Sequence, residues 1–273
     1  MKKIYNYFAL KILTFKTLVL LILISLYHFF LFLEFINKNS NYNFFDLVIN
    51  QFNYLTLFIF LFIGYMIIIY DINNNSKFYQ YLDLKFKNKV NLYNTNVLTI
   101  LITSISFDIF LNIISIIECI GKISFKNLWS DNFIYNNISK LQVNVFFDVD
   151  VVKSLIDKLT PLEYVFYTNI FIILYLFLFG ILFLVINILI KRRILTFLIV
   201  FFINFISYFF NFNNFIYQKF SITNNIYLLT SSKDMVVNNT FITFRLFYWG
   251  FLISVFYFLG KFLIKKSDSR YEV

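Results

Sequence analysis

Residues 160–193 read TPLEYVFYTNIFIILYLFLFGILFLVINILIKRR, and this stretch decides the fold class. It opens on a capping box: the Thr160 side chain can accept from the third amide of a helix, and Glu163 can reach back to the cap. Pro161 falls at the first helical position, where its missing N–H costs nothing. From Tyr164 to Ile190 no charged residue interrupts the run. A bilayer core needs only about 20 apolar residues in a helix, so this segment reads as a membrane span. It stops at Lys191-Arg192-Arg193, and a second apolar run, Ile194 to Phe212, follows at once. So short a basic turn makes the two spans antiparallel neighbours.

The rest of the chain repeats this pattern. Hydrophobic residues are 60% of the 273 and charged residues only 14%, against roughly 25% charged in soluble domains. Spans are expected at about 17–36, 52–70, 97–120, 164–190, 194–212 and 244–264. The fold class is an all-α integral membrane protein: one bundle of six transmembrane helices, with a small outer insertion at 121–159 between helices three and four. Within that insertion Gln142 to Phe146 alternates as a strand does, and Val152 to Leu159 has apolar residues at helical spacing. The first span follows Lys2, Lys3, Lys11 and Lys16, as a signal peptide would, but its apolar run is too long and lacks a small-residue cleavage site. It reads as a retained anchor, preceded by a short surface helix. The 41 Phe and 20 Tyr, with one Pro and five Gly, follow AT-rich codons. The sequons Asn137-Ile138-Ser139 and Asn238-Asn239-Thr240 are chance matches in so Asn-rich a chain. With so few small residues, helix contacts are expected to be made by Phe, Leu and Ile.

Charge orients the bundle. The N-terminal arm, the 71–96 loop, the basic turn and the C-terminal end carry 15 of the 24 basic residues but four of the 14 acids. The positive-inside rule places these segments, and both termini, in the cytoplasm. Trp129 and Trp249 then fall at the outer interface. The net charge of +10 is explained by this topology, without nucleic acid. A bacterial cell membrane is the expected location, with membrane lipid as the immediate partner.

Catalytic motifs are absent. Gly121 and Gly260 precede lysines but lack Walker A spacing, and no G-x-S-x-G is present. One cysteine, Cys119, and one histidine, His28, exclude an internal disulfide and a His-pair metal site. No enzyme activity and no cofactor is implied. His28, alone in an apolar run, reads as an ordinary helix residue. The remaining candidates are intramembrane polar groups: Asp108, Asn112, Glu118 and Arg245. Asp108 and Asn112 are one turn apart and share a face. They line a pathway, or they face protein neighbours while Glu118 snorkels to the interface. Glu118 is a candidate partner for Arg245. The second candidate region is the basic aromatic loop 73–96, with Phe78, Tyr81, Leu82, Lys85, Phe86, Lys87 and Lys89. It is suited to anionic headgroups or to a groove on a soluble partner.

The order of these elements resembles the six-helix permease subunits of ABC transporters of the type-2 exporter class, in their divergent low-GC Gram-positive form. Leu84-Lys85-Phe86-Lys87-Asn88-Lys89 is similar to the family's basic segment before the third helix. Thr160-Pro161-Leu162 through Gly180 and Asn187 to Lys191-Arg192-Arg193 is similar to its fourth helix and turn. The likeness is one of layout over nearly the whole chain; Asn213 to Thr243 departs from it in having neither Gly nor Pro. The resemblance implies a separate ATPase subunit, a second permease copy or paralogue, and force transmission through the N-terminal arm and the 73–96 loop. Two other readings stay open: a mitochondrially encoded membrane subunit of a respiratory or ATP-synthase complex, and a membrane immunity or sensor protein.

Overall fold

A computed structural model describes residues 2–38, 43–53, 56–73, 86, 88–121, 123–130, 133, 149–209 and 220–268. Among them the chain is all-helical. Helices α1 (Lys2–Ile12) and α2 (Phe15–Lys38) are followed by α3 (Phe44–Gln51), then a π-type turn (Thr56–Leu61) leading into α4 (Phe62–Ile69). After these come α5 (Lys89–Cys119), α6 (Val149–Lys158), α7 (Pro161–Ile190), α8 (Arg193–Phe209), α9 (Lys233–Val237) and α10 (Phe241–Asp268).

Four helices, α2, α5, α7 and α10, are long and apolar enough to cross a membrane. The bent pair formed by α3 and Thr56–Ile72, at 59°, makes five if counted as one span. Outward-facing apolar side chains ring these helices. On α10, Phe247, Phe251, Phe258 and Phe262 are exposed, and on α2, Leu18, Ile22, Leu26 and Phe29. Water would not tolerate such a surface; it is compatible with lipid.

Helix α7 is the axis of the bundle. Two thirds of its apolar window (67%) is buried, against 11% in α2 and in α10, and α5, α8 and α10 all pack on it. Every residue from Tyr175 to Val185 is buried, as expected of a helix that is apolar all round. Its start is as expected: the Thr160 side chain accepts from the Glu163 amide, and Glu163 accepts from the Thr160 N–H at 2.8 Å. Such a cap is worth about 1 kcal/mol. Its end is set by Lys191, at φ 59°, whose N–H donates to the Asn187 carbonyl. This left-handed residue reverses the chain in one step, and α8 starts at Arg193.

Phe, Leu and Ile dominate the core. Gly180 and Gly260 are the exceptions. A methyl at Gly180 would strike Ile100 and the Tyr65 hydroxyl, and one at Gly260 would strike Tyr93 and Val185. These glycines let α5 approach α7 and α10 closely.

Three expectations need correction. The helix that carries the expected span 97–120 begins at Lys89: Asn88 caps it by accepting from the Asn91 amide at 2.8 Å, so Lys89 to Asn96 is helix and not loop. The region of the expected second span is not one straight helix: α3, with its own Asn43 capping box, is bent by 59° from Thr56–Ile72. Trp249 is fully buried, its Nε1 donating to the Asn225 carbonyl at 3.1 Å; it is a core residue and not part of an interfacial belt. The strand expected at 142–146 lies outside the described residues, whereas the helix expected over 152–159 is present as α6.

Candidate functional site

The buried face of α5 carries a stripe of polar side chains. Thr99, Thr103, Ser104, Asp108, Ser115 and Cys119 are all buried at helical spacing. Thr103, Ser104 and Ser115 satisfy their hydroxyls on the carbonyls one turn back, a bond that lets a helix hide small polar groups. Ser104 also meets the Tyr65 hydroxyl of α4 at 2.8 Å.

Asp108 and Asn112 share a face as expected. Asn112 Nδ2 donates to the Asp108 carbonyl at 2.9 Å and to its Oδ2 at 3.3 Å. Asn169 of α7 extends the chain, donating to Asn112 Oδ1 at 3.2 Å. Asp108 Oδ1 and Asn169 Oδ1 are buried without a hydrogen-bond partner among the described residues.

Glu118 does not snorkel to the interface, and it does not pair with Arg245. Its side chain is only 8% exposed and meets His28 Nδ1 of α2 at 2.9 Å. His28 Nε2 meets Gln51 Oε1 of α3, which also accepts from Ser115 Oγ at 2.6 Å. One histidine thus ties three helices together. Sequence reasoning passed over it because its partners lie 23 and 90 residues away. A lone imidazole in an apolar run was the available signal, since a polar group at that depth needs partners.

Arg245, 3% exposed, serves a different purpose. Its guanidinium donates to the Tyr227 carbonyl at 2.7 Å and to Ser231 Oγ at 2.8 Å. Longer bonds run to Asn224 O, Thr230 Oγ1 and Phe241 O. Residues 221–231 form an irregular segment with most of its side chains buried. Irregular backbone among membrane helices survives only where protein groups satisfy it, and here Arg245 and Trp249 do so. The Tyr227 hydroxyl pins the same segment to the Phe52 carbonyl at 2.6 Å. Below it, Asn204 of α8 accepts from the Tyr175 hydroxyl at 2.7 Å and donates to the Phe58 carbonyl at 2.9 Å. Phe58 lies in the π-type turn, where the ordinary helix ladder is interrupted.

At the opposite, basic end, α1 docks on the bundle instead of lying free. Tyr7 is buried, its hydroxyl donating to Asn96 Oδ1 at 2.7 Å and its ring meeting Phe86 edge-on at 5.2 Å. Lys11, 1% exposed, donates to the Ile72 carbonyl at 2.9 Å. Asp71 pairs with Lys16 at 2.5 Å and with Arg193 at 3.6 Å, and Lys16 and Arg193 both lie over the Tyr70 ring. The arm, the Tyr70–Asn73 turn after α4, the N-terminal turns of α5 and the α7–α8 turn therefore meet at one junction. Of the loop candidates, Phe86 is half-buried in this junction, and Lys89 is exposed at the first turn of α5. Phe78, Tyr81, Leu82, Lys85 and Lys87 lie outside the described residues.

At the far end, α6 is held to the 233–239 segment. Lys158 Nζ donates to the carbonyls of Val236 and Val237 and to Asn239 Oδ1. Lys233 bonds Asp150 at 2.7 Å and holds its carboxyl below the ordinary range. No family model, curated protein or solved structure matches the chain.

Proposed function

We propose that the chain is the membrane-spanning permease subunit of an ABC-type exporter. In this reading it is a six-helix bundle in the bacterial cell membrane, with both termini cytoplasmic and an outer insertion between the third and fourth spans. The bent α3–α4 segment is the second span and α8 the fifth. A 17-residue helix such as α8 is at the short limit for crossing. The chain supplies half of a substrate pathway, a second permease copy or paralogue supplies the other half, and a separate ATPase docks on the 73–96 loop.

The observation that supports this reading is the junction at the basic end. Tyr7 and Lys11 of α1 hold Asn96, about two turns into α5, and Ile72, in the last helical turn before the loop. A push on the loop is then delivered to α4, α5 and the arm as one body. Such coupling needs a contiguous, stiff connection, and a freely solvated loop would not provide it. The polar stripe of α5, continuous with this junction, gives the movement something to act on.

The test is affinity purification of the full chain from native membranes. An ATPase is expected to co-purify. Phe86→Ala and Tyr81→Ala should release it, because buried aromatics carry most of a docking contact and rim lysines little; Lys89→Ala should retain it. A wild-type chain that purifies without any ATPase would refute the proposal.

A further inference from the structure

A cleft of about 440 Å³ opens at the α7–α8 turn, lined by Tyr70, Arg192, Arg193, Ile194, Leu195 and Leu198. Its two halves differ in chemistry. One half is basic. Arg193 is engaged by Asp71 and stacked on Tyr70, whereas Arg192 is exposed and pairs with no carboxylate among the described residues. Lys16 and Lys191 flank them, and among the described residues only Asp71 is a carboxylate paired at this corner, with Lys16 and Arg193.

The other half is aliphatic and uncovered: Ile194 is 71% exposed, and Leu195 and Leu198 are each 45% exposed. Ile194 and Leu198 lie one turn apart on the same face of α8. The left-handed Lys191 makes the turn so tight that the arginines sit directly before this apolar face.

We infer that this cleft binds a membrane lipid with an anionic phosphate headgroup, the phosphate on Arg192 and Arg193 and an acyl chain along Ile194, Leu195 and Leu198. Guanidinium matches phosphate with two parallel hydrogen bonds. A free phosphate would account for the arginines but not for the bare aliphatic wall beside them. A zwitterionic lipid would account for the wall, but its own ammonium already neutralises the phosphate. A phosphatidylglycerol-like lipid uses both halves, and the headgroup boundary of a membrane is where such a cleft would meet it. The bound lipid would brace Tyr70 and α8, joining α4 to the basic turn. The inference needs membrane placement of the chain and no partner ATPase.

The full chain, purified in detergent, is mixed with phosphatidylglycerol or phosphatidylcholine of identical acyl chains, and retained lipid is read by native mass spectrometry. Wild type should retain phosphatidylglycerol about tenfold over phosphatidylcholine, the worth of one charge-assisted contact. Arg192→Gln should erase that preference, and Leu198→Gln should lower retention of both lipids. Lys265→Gln, a basic residue of α10 outside the cleft, should change neither. Each variant must match the wild type in melting temperature, and a variant that does not is replaced by Arg192→Ala or Leu195→Gln. Equal retention of the two lipids by wild type would overturn the inference. An unchanged preference in Arg192→Gln would overturn it too, as would an equal loss in Lys265→Gln or displacement of the lipid by millimolar inorganic phosphate.

Discussion

Replacing Arg245 by Met keeps the length and apolar stem of the side chain and removes its donors. Two bonds are short, to the Tyr227 carbonyl at 2.7 Å and to Ser231 Oγ at 2.8 Å; those at 3.3–3.4 Å contribute little. Charge-assisted bonds are worth about 1.5–3 kcal/mol each, which puts the gross loss at roughly 3–6 kcal/mol. Three facts reduce it. The Tyr227 carbonyl still accepts from the Thr230 hydroxyl at 2.6 Å, and Ser231 still donates to Leu228 O. Removing a buried cation also recovers part of its desolvation cost. The lower figure, about 3 kcal/mol, is therefore expected. Because every lost bond but the long one to Phe241 O tethers residues 224–231, the effect should be local. Amide exchange over 221–231 should rise on the order of a hundredfold, at 1.4 kcal/mol per tenfold, while exchange in α7 stays slow. The assay is hydrogen–deuterium exchange on the full chain in detergent. Unchanged exchange over 221–231 would refute the assignment of Arg245 as the clamp of this segment.

Gly180→Ala should destabilise the bundle by about 1–3 kcal/mol, since its methyl meets Ile100 and Tyr65 and overpacking has that cost; an unchanged melting temperature would show that α5 and α7 are less close than described. Gln51→Leu deprives His28 of one acceptor and should cost about 1–3 kcal/mol, and combining it with His28→Leu should recover part of that loss. Strict additivity in this cycle would show that the two side chains are not coupled. A membrane-impermeant maleimide should label Lys233→Cys, but not Asn88→Cys, in intact cells. The native Cys119 is buried and gives no background, and labelling of Asn88→Cys would invert the proposed topology.

Local chemistry made the helices legible. The box at Thr160 and Glu163, the uncharged run after it and the basic stop at Lys191 each act within a few residues, so α7 starts and ends within three residues of where its sequence places it. Boundaries were missed where the signal was weak. Asn88 is one asparagine among many, and its capping role was hidden by the polar residues that continue to Asn96.

What the sequence by itself determined is the class: long apolar helices, their approximate ends, the uneven distribution of charge, and the shared face of Asp108 and Asn112, all consequences of local hydrogen bonding and hydropathy. Which polar groups meet was decided only by the tertiary structure. Glu118 pairs with His28 and not with Arg245, and Arg245 turns to a loop 14 to 21 residues before it. The α1 arm is tied to Ile72 and to Asn96 within α5 and does not lie free on a surface. Each buried polar group must find a partner, and many arrangements of the same helices would satisfy that demand. Close approach at Gly180 and Gly260 and the break after α3 select one of them, because packing sets the rotation of each helix and periodicity sets only which residues share a face.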